Sequence, residues 1–172
     1  RTGSGKTGAF GVPIIEACQP TGNLQALILA PTRELANQVS VEMNNIQGDS
    51  GLKIATVYGG TDLEKQARQL GEGVDIIVGT PGRVMDMTKR NFIDLSSPTI
   101  FCLDDADRML DMGFFPDITW VIERMSSREQ TLLFSATFPQ EILDAAYEFM
   151  HEPDFVLTNS EELDIPPIKM YS

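Results

Sequence analysis

The sequence predicts an α/β fold in which a doubly wound, mostly parallel sheet carries helices on both faces. Two observations predict this fold. Short apolar runs rich in β-branched residues alternate along the chain with stretches of helical periodicity. Several of these runs, such as Ile76–Val78, are apolar throughout, as parallel strands covered on both faces must be. The length of 172 residues suits one domain with a substantial core.

The predicted elements follow from these two signals. Strands are assigned to the apolar runs, and helices to the intervening segments with apolar residues every three or four positions. In chain order the elements are the helix Lys6–Cys18, the strand Gln25–Ala30, the helix Thr32–Ile46, the strand Lys53–Tyr58, the helix Leu63–Leu70, the strand Val74–Val78, the helix Gly82–Lys89, the strand Thr99–Leu103, the helix Phe115–Met125, the strand Thr131–Phe134, the helix Gln140–Phe149 and the strand Phe155–Leu157. Ligands of such sheets bind at the carboxyl ends of the strands, so the residues that follow the strands are the informative ones.

The charge of the chain is unevenly distributed. The net charge of −12, taken alone, argues against a nucleic-acid partner. However, residues 1–60 are neutral overall, residues 61–100 carry a net charge of −1, and residues 101–172 carry −11. The N-terminal part of the chain therefore presents no electrostatic barrier to an anion.

Cysteine usage and hydropathy indicate the cellular setting. Cys18 and Cys102 lie in apolar contexts and do not build a disulfide framework, so we expect free thiols in a reducing, cytoplasmic compartment. The sequence has no run of about 18 apolar residues, and no membrane partner is expected.

A glycine-rich segment opens the chain and leads into the first predicted helix. Its glycines let successive N–H groups converge on a phosphate, while the Lys6 ammonium can reach the β- and γ-phosphates and the Thr7 hydroxyl can bind Mg²⁺. The alternative is a plain glycine-rich turn before a surface helix. The residues predicted to bind ATP are Thr2, Gly3, Ser4, Gly5, Lys6 and Thr7.

Acidic residues follow the apolar strand Thr99–Leu103. One carboxylate at this position can hold Mg²⁺ through its water shell, and the next can orient the attacking water. We assign these functions to Asp104 and Asp105, with Asp107 close behind. The alternative is an acidic N-cap for a following helix.

Small hydroxyl residues follow the next strand along the chain. Ser135 and Thr137 can bond to the acidic cluster and report the state of the nucleotide. A plain turn is the alternative.

Together these motifs resemble the first RecA-like domain of a DEAD-box ATP-dependent RNA helicase, which is a P-loop NTPase. The resemblance extends from Arg1 to about Leu157. It rests, in chain order, on the phosphate loop Thr2–Thr7, Pro31-Thr32-Arg33-Glu34-Leu35 for the PTREL motif, the doublet Gly59-Gly60, Thr80-Pro81-Gly82-Arg83 for TPGR, Asp104-Asp105-Ala106-Asp107 for Asp-Glu-Ala-Asp, and Ser135-Ala136-Thr137 for SAT.

The resemblance implies a function for the middle motifs, because in the family these segments contact the sugar-phosphate backbone of single-stranded RNA. Backbone N–H groups, threonine hydroxyls and helix N-termini can hold phosphates without net positive charge. A Pro-Gly turn that caps a helix is the alternative for the TPGR segment, and an ion pair within the domain is the alternative for Arg33. The residues implied to bind RNA are Pro31, Thr32, Arg33, Gly59, Gly60, Thr80, Pro81, Gly82 and Arg83.

The resemblance assigns catalysis to Lys6, Asp104, Asp105, Ser135 and Thr137, and one of these departs from the family pattern. The family has Glu where this chain has Asp105, and that Glu positions the hydrolytic water. Because Asp is one methylene shorter, we expect slowed hydrolysis with ATP and Mg²⁺ binding retained. The alternative function is therefore a hydrolysis-weakened, ATP-gated RNA clamp or scaffold.

The resemblance also divides the chain. Residues 1–158 correspond to the first RecA-like domain without its first strand and upstream Gln motif, and residues 159–172 to a linker toward an absent second RecA-like domain. We expect a monomer that is almost inactive by itself. With its second domain it acts on single-stranded or duplex RNA, in local unwinding or in remodelling of RNA–protein complexes.

Overall fold

The computed structural model describes residues 4–150 and 156–157, with side chains from residue 7 to residue 150. Helices and strands alternate along most of this length. In chain order the elements are α1 (Ser4–Ala17), β1 (Ala26–Leu29), α2 (Arg33–Gln47), β2 (Ile54–Val57), α3 (Leu63–Gly71), β3 (Ile76–Gly79), α4 (Pro81–Lys89), β4 (Ile100–Leu103), α5 (Ala106–Asp111), α6 (Phe115–Glu123), β5 (Gln130–Ser135), α7 (Gln140–Phe149) and β6 (Val156–Leu157).

The strands pair in parallel in the order β2-β3-β1-β4-β5-β6. The chain therefore starts in the middle of the sheet, moves to one edge and returns to build the other half. This doubly wound arrangement confirms the predicted fold class. It also places a change of winding direction at β1, where ligands of such sheets bind.

Alternate side chains of the central strand enter two separate cores. Ala26 and Ile28 pack with α1 and α2 on one face, and Leu27 and Leu29 pack with α4, α6 and α7 on the other. All four side chains are fully buried. The continuous apolar runs in the sequence therefore result from a sheet that is covered on both faces.

One helix was not predicted. The six-residue helix α5 directly follows the acidic residues at the end of β4. It is shorter than two turns, so it has no apolar period to detect. Within the described residues, no helix has the length and apolarity needed to cross a bilayer.

The register aligns the carboxyl ends of the central strands. Leu29 pairs with Gly79 on one side and with Leu103 on the other, and Gly79 also pairs with Val57. The loops that follow β1, β2, β3 and β4 therefore leave the sheet in one row. Four of the motifs identified in the sequence begin in these loops, namely PTREL, the glycine doublet, TPGR and the acidic segment.

Gly79 lies where neighbouring atoms leave no room for a Cβ. A Cβ at this position would lie 2.6 Å from Cγ2 of Val84 and 2.8 Å from the carbonyl oxygen of Val57. Since the second contact is with backbone, we expect Gly79→Ala to lower the free energy of unfolding by about 1–3 kcal/mol. Urea unfolding measures this change. The control Gly71→Ala has no atom within 4 Å of the new Cβ and should be close to neutral; equal losses in both variants would contradict the packing argument.

Asp75 organises the opposite, amino-terminal end of the sheet. Its buried carboxylate accepts hydrogen bonds from the backbone N–H groups of Thr21 (3.0 Å), Gly22 (2.8 Å) and Lys53 (2.8 Å). Burial, and secondarily the charge of Asp75, raise the pKa of the Cys18 thiol from 9.0 to about 11. Neither Cys18 nor Cys102 forms a disulfide within the described residues, and both are buried.

The raised pKa of Cys18 predicts a pH dependence of stability. Between pH 9.0 and about 11 the folded chain retains a thiol proton that the unfolded chain has lost. The free energy of unfolding therefore falls as pH rises through this window. Cys18→Ala should reduce that fall, as measured by urea unfolding at pH 8 and at pH 10.5. Parallel pH profiles for the two proteins would contradict it.

Candidate functional site

The loops after β1, β2 and β3 surround a surface cavity at the carboxyl edge of the sheet. Its volume is about 450 Å³. The lining residues are Pro31, Thr32, Arg33, Tyr58, Gly59, Thr80, Gly82, Arg83, Asp86 and Phe114. Three segments far apart in the sequence thus meet in one concave surface, as the strand-end argument predicts. Of the residues implied to bind RNA, Gly60 and Pro81 do not line the cavity.

Arg33 presents its guanidinium to this cavity. The guanidinium carbon lies 5.4 Å from the centroid of the Tyr58 ring, which is a cation–π geometry. Gly60 has a positive φ of 78°, and a Cβ there would lie 3.3 Å from Nη1 of Arg33. Among the described residues no carboxylate pairs with Arg33, so the ion pair considered as the alternative is not found.

Arg83 is held by polar contacts on the other side of the cavity. Its Nη1 donates to Oε1 of Gln66 (3.0 Å) and its Nη2 donates to the carbonyl oxygen of Thr61 (3.2 Å). Neither partner carries a negative charge. The positive charge of Arg83 therefore remains available at a half-buried position.

Two helices begin at the cavity. Thr32 caps α2 by accepting a hydrogen bond from the N–H of Leu35 (3.1 Å), and its hydroxyl proton remains free to be donated. Thr80 occupies the N-cap position of α4 but makes no capping hydrogen bond. The TPGR segment therefore does start a helix, as its alternative interpretation predicts, although the Thr80 hydroxyl makes no capping bond. The N-terminus of a helix favours an anion, because its first N–H groups have no partner within the helix.

The acidic segment follows β4 at the same edge. Asp104 continues the strand by donating its N–H to the carbonyl oxygen of Leu29 (2.9 Å), and its side chain is only 1% exposed. Asp105 is half-buried and adopts a left-handed backbone conformation (φ 59°, ψ 51°). It occupies the N-cap position of α5, yet its side chain makes no capping hydrogen bond. An N-cap role therefore does not account for Asp105.

The hydroxyls after β5 bond to the acidic segment, which confirms the predicted contact. Oγ of Ser135 accepts from the N–H of Asp107 (3.1 Å) and donates to the carbonyl oxygen of Thr137 (2.6 Å). The carboxylate of Asp107 accepts from both the hydroxyl (2.8 Å) and the N–H (3.2 Å) of Thr137. These bonds tie the ends of β4 and β5 together, and they involve Asp107 rather than its two acidic neighbours.

The buried Ser135 hydroxyl is the centre of this connection. Ser135→Ala leaves the N–H of Asp107 and the carbonyl of Thr137 without their partner, so we expect a loss of about 1–3 kcal/mol in the free energy of unfolding. Thr137→Val removes only the exposed hydroxyl bond to Asp107 and should cost less. Urea unfolding of both variants tests this order, and a larger loss for Thr137→Val would contradict it.

The predicted phosphate loop is only partly described. Thr2 and Gly3 lie outside the described residues, whereas Ser4, Gly5 and Lys6 form the first turn of α1. The helix thus starts two residues earlier than predicted. Thr7 is 1% exposed, so its hydroxyl lies in the interior at the start of the helix.

The oxygen donors at this edge fit Mg²⁺. In the described part of the chain, no group of three or more His, Cys, Asp and Glu side chains is placed to hold a metal ion. Mg²⁺ suits a smaller protein contribution, since it keeps several waters and binds one or two carboxylates together with substrate phosphates. The Thr7 hydroxyl and the Asp104 carboxylate, both buried, are donors of that kind.

Sequence reasoning missed several residues around the cavity. Tyr58, Asp86 and Phe114 line it, and Gln66 contacts Arg83 from α3. Tyr58 could have been suspected, since it directly precedes the glycine doublet. Gln66 has no sequence signal, because a glutamine in an amphipathic helix is ordinarily a surface residue.

Comparison with known proteins supports the architecture. The family model described as DEAD/DEAH box helicase matches residues 1–145. The DEAD-box ATP-dependent RNA helicase CshA of Bacillus subtilis is 44% identical over 99% of this chain and 35% of its own length. The RNA helicase CrhR of Synechocystis is 45% identical over 91% of this chain and 32% of its own length. This chain therefore spans about a third of the relatives it matches.

Solved structures with high TM-scores share the fold of this chain. A DEAD box protein from Methanococcus jannaschii superposes with a TM-score of 0.86 and 42% identity, covering 92% of this chain and 44% of that protein. A hypothetical ATP-dependent RNA helicase from Sulfolobus tokodaii gives a TM-score of 0.83 and 39% identity over 91% of this chain and 46% of that protein. The match to the family model over most of the chain shows that this protein belongs to the DEAD/DEAH box helicase family.

Proposed function

We propose that this chain is the ATP- and RNA-binding first domain of an ATP-dependent RNA helicase. The observation that carries the proposal is the cavity in which the loops after β1, β2 and β3 meet. Its donors are two arginine side chains, two threonine hydroxyls and two helix N-termini. All of these suit phosphate oxygens, and none of them reads a base. The ligand is therefore the backbone of single-stranded RNA.

The nucleotide binds next to this cavity, at the start of α1 and the end of β4. The sequence assigns the terminal phosphates to Lys6 and to N–H groups of the glycine-rich segment Thr2–Gly5. Thr7 and Asp104 would hold Mg²⁺, which would supply charge neutralisation at the phosphates. Asp105 orients the attacking water. Ser135 and Thr137 hold Asp107 and so link this site to β5.

The second RecA-like domain completes the site. Domain closure around ATP and RNA excludes water and brings catalytic groups from the partner domain. An arginine supplied in this way contributes about 10³–10⁵ in rate. RNA held against the cavity is bent between the two domains, and this bend opens a duplex locally. The first domain alone therefore hydrolyses ATP very slowly.

A second candidate is a clamp that holds RNA while ATP is bound. Asp105 favours it, because a shorter carboxylate positions water less well and prolongs the ATP-bound state. Single-turnover hydrolysis by the unaltered protein and by Asp105→Glu, each with a second RecA-like domain, separates the clamp from a fast helicase.

RNA-stimulated ATP hydrolysis tests the proposal. We expect almost no turnover by this chain alone, and RNA-dependent turnover once a second RecA-like domain follows it. RNA should compete better than DNA of the same sequence. Substantial turnover by the single domain, or equal stimulation by DNA, would contradict the proposal.

A further inference from the structure

We propose that Gln66, a residue outside all the motifs above, is the positioning residue that sets both arginines of the cavity. This inference rests on the proposed RNA-binding function and adds a residue to it. Gln66 lies on α3, does not line the cavity, and is only 9% exposed. A buried amide must find hydrogen-bond partners, and the partners of this one belong to two different motif loops.

Gln66 uses both ends of its amide. Its nitrogen donates to the carbonyl oxygen of Tyr58 (3.2 Å) and to Oγ1 of Thr61 (2.7 Å), and its oxygen accepts from Nη1 of Arg83 (3.0 Å). One side chain thus joins the loop of the glycine doublet to the TPGR segment. Without it, two oxygens of the loop and one guanidinium nitrogen lose a partner together.

The loop of the glycine doublet, residues 58–61, in turn contacts the guanidinium groups of both Arg33 and Arg83. The Tyr58 ring lies under Arg33, and the Thr61 carbonyl accepts from Nη2 of Arg83. The Thr61 hydroxyl closes the loop on itself by donating to the Tyr58 carbonyl (3.0 Å). At the far side, the Tyr58 hydroxyl accepts from the side-chain amide of Asn37 on α2 (3.2 Å).

This arrangement matters because long cationic side chains lose rotamer entropy when they bind an anion. Arginines that are already held in place lose less of it, so preorganisation raises affinity. Gln66 holds Arg83 directly and Arg33 through the Tyr58 backbone. Its loss should therefore weaken both phosphate contacts while leaving the charge of the chain unchanged.

The experiment measures RNA affinity of the whole chain, using fluorescein-labelled oligo(U) and fluorescence anisotropy. Gln66→Met keeps the length of the side chain and removes its hydrogen bonds, and we expect the Kd to rise about tenfold. Ser40→Ala is the matched control. It removes a buried hydroxyl pair with Thr56 (2.6 Å) between α2 and β2, away from the cavity. Its Kd should not change.

A double-mutant cycle with Arg83→Met distinguishes positioning from general destabilisation. If Gln66 acts through Arg83, the binding free energy lost in the double variant should be smaller than the sum of the losses in the two single variants. Additive losses, or an unchanged Kd in Gln66→Met, would overturn the inference and leave the proposed function intact. No RNA binding by the unaltered chain would overturn both.

The order of the arginine side chains can also be measured in the absence of RNA. The ¹⁵N relaxation of the arginine Nε–H groups reports side-chain order directly. We expect increased motion of Arg33 and Arg83 in Gln66→Met. In Gln66→Glu we expect it for Arg33 only, because the carboxylate cannot donate to Tyr58 and Thr61 but still accepts from Arg83. Unchanged relaxation of both arginines in either folded variant would overturn it.

Discussion

Replacing Asp105 by Glu is expected to raise the rate of ATP hydrolysis about 100-fold when this chain is joined to a second RecA-like domain. The extra methylene moves the carboxylate outward by roughly 1 Å, toward the position from which the family's Glu orients water. ATP binding should not change, because Lys6, Thr7 and Asp104 are retained. The measurement is single-turnover hydrolysis under saturating ATP and RNA.

The backbone of Asp105 adds a second expectation. Left-handed residues are several-fold enriched in Asp and Asn, whose short polar side chains tolerate that conformation. Glu at φ 59° should therefore lower the free energy of unfolding by about 1 kcal/mol while hydrolysis becomes faster. Asp111→Glu, at the exposed end of α5, is the matched control and should change neither quantity. Equal hydrolysis rates before and after Asp105→Glu would contradict the account of this residue.

Removing both arginines of the cavity is expected to have the second large effect. Arg33→Met combined with Arg83→Met should weaken binding of single-stranded RNA about 100-fold, since each charge-assisted contact contributes on the order of 1.5 kcal/mol. The loss should be the same for oligo(U) and oligo(A), because the contacts involve phosphates and not bases.

The salt dependence of RNA binding distinguishes specific phosphate contacts of Arg33 and Arg83 from the effect of net charge. Each phosphate contact of a single strand contributes about 0.7 to the magnitude of the slope of log K against log salt concentration. This slope should therefore be smaller by about 1.4 in the double variant. Arg124→Met is the matched control. That guanidinium stacks on Trp120 at 3.6 Å from the ring centroid, and neither residue lines the cavity. An equal loss of affinity in this control would show that net charge alone decides binding.

The strand-end motifs could be predicted from the sequence because each depends on local order. An apolar strand followed by a small, hydroxyl or acidic residue marks the carboxyl edge of a parallel sheet, and the register of Leu29, Gly79 and Leu103 aligns those edges. The net charge of −12 was misleading, since it averages a neutral N-terminal part with an acidic C-terminal part. The two arginines that line the cavity, Arg33 and Arg83, both belong to the N-terminal part.

The remaining features depend on tertiary contacts that no local pattern encodes. Gln66 is buried where its amide bonds to the loop after β2 and to Arg83 of α4. Asp105 adopts its left-handed backbone in the short connection between β4 and α5. A contact between the hydroxyls of Ser135 and Thr137 and the acidic segment could be proposed from the sequence. The sequence does not show that Thr137 bonds to the carboxylate of Asp107 while Ser135 bonds to its backbone N–H.

RNA binding at the cavity is tested most directly by locating bound RNA on the chain. Titration of oligo(U) into the ¹⁵N-labelled chain, followed by amide chemical shifts, maps this location. We predict that the largest shifts fall in residues 31–33, 58–61 and 80–83, around the cavity at the carboxyl edge of the sheet. Shifts concentrated instead at the amino-terminal end, around Gly22 and Asp75, would contradict the account.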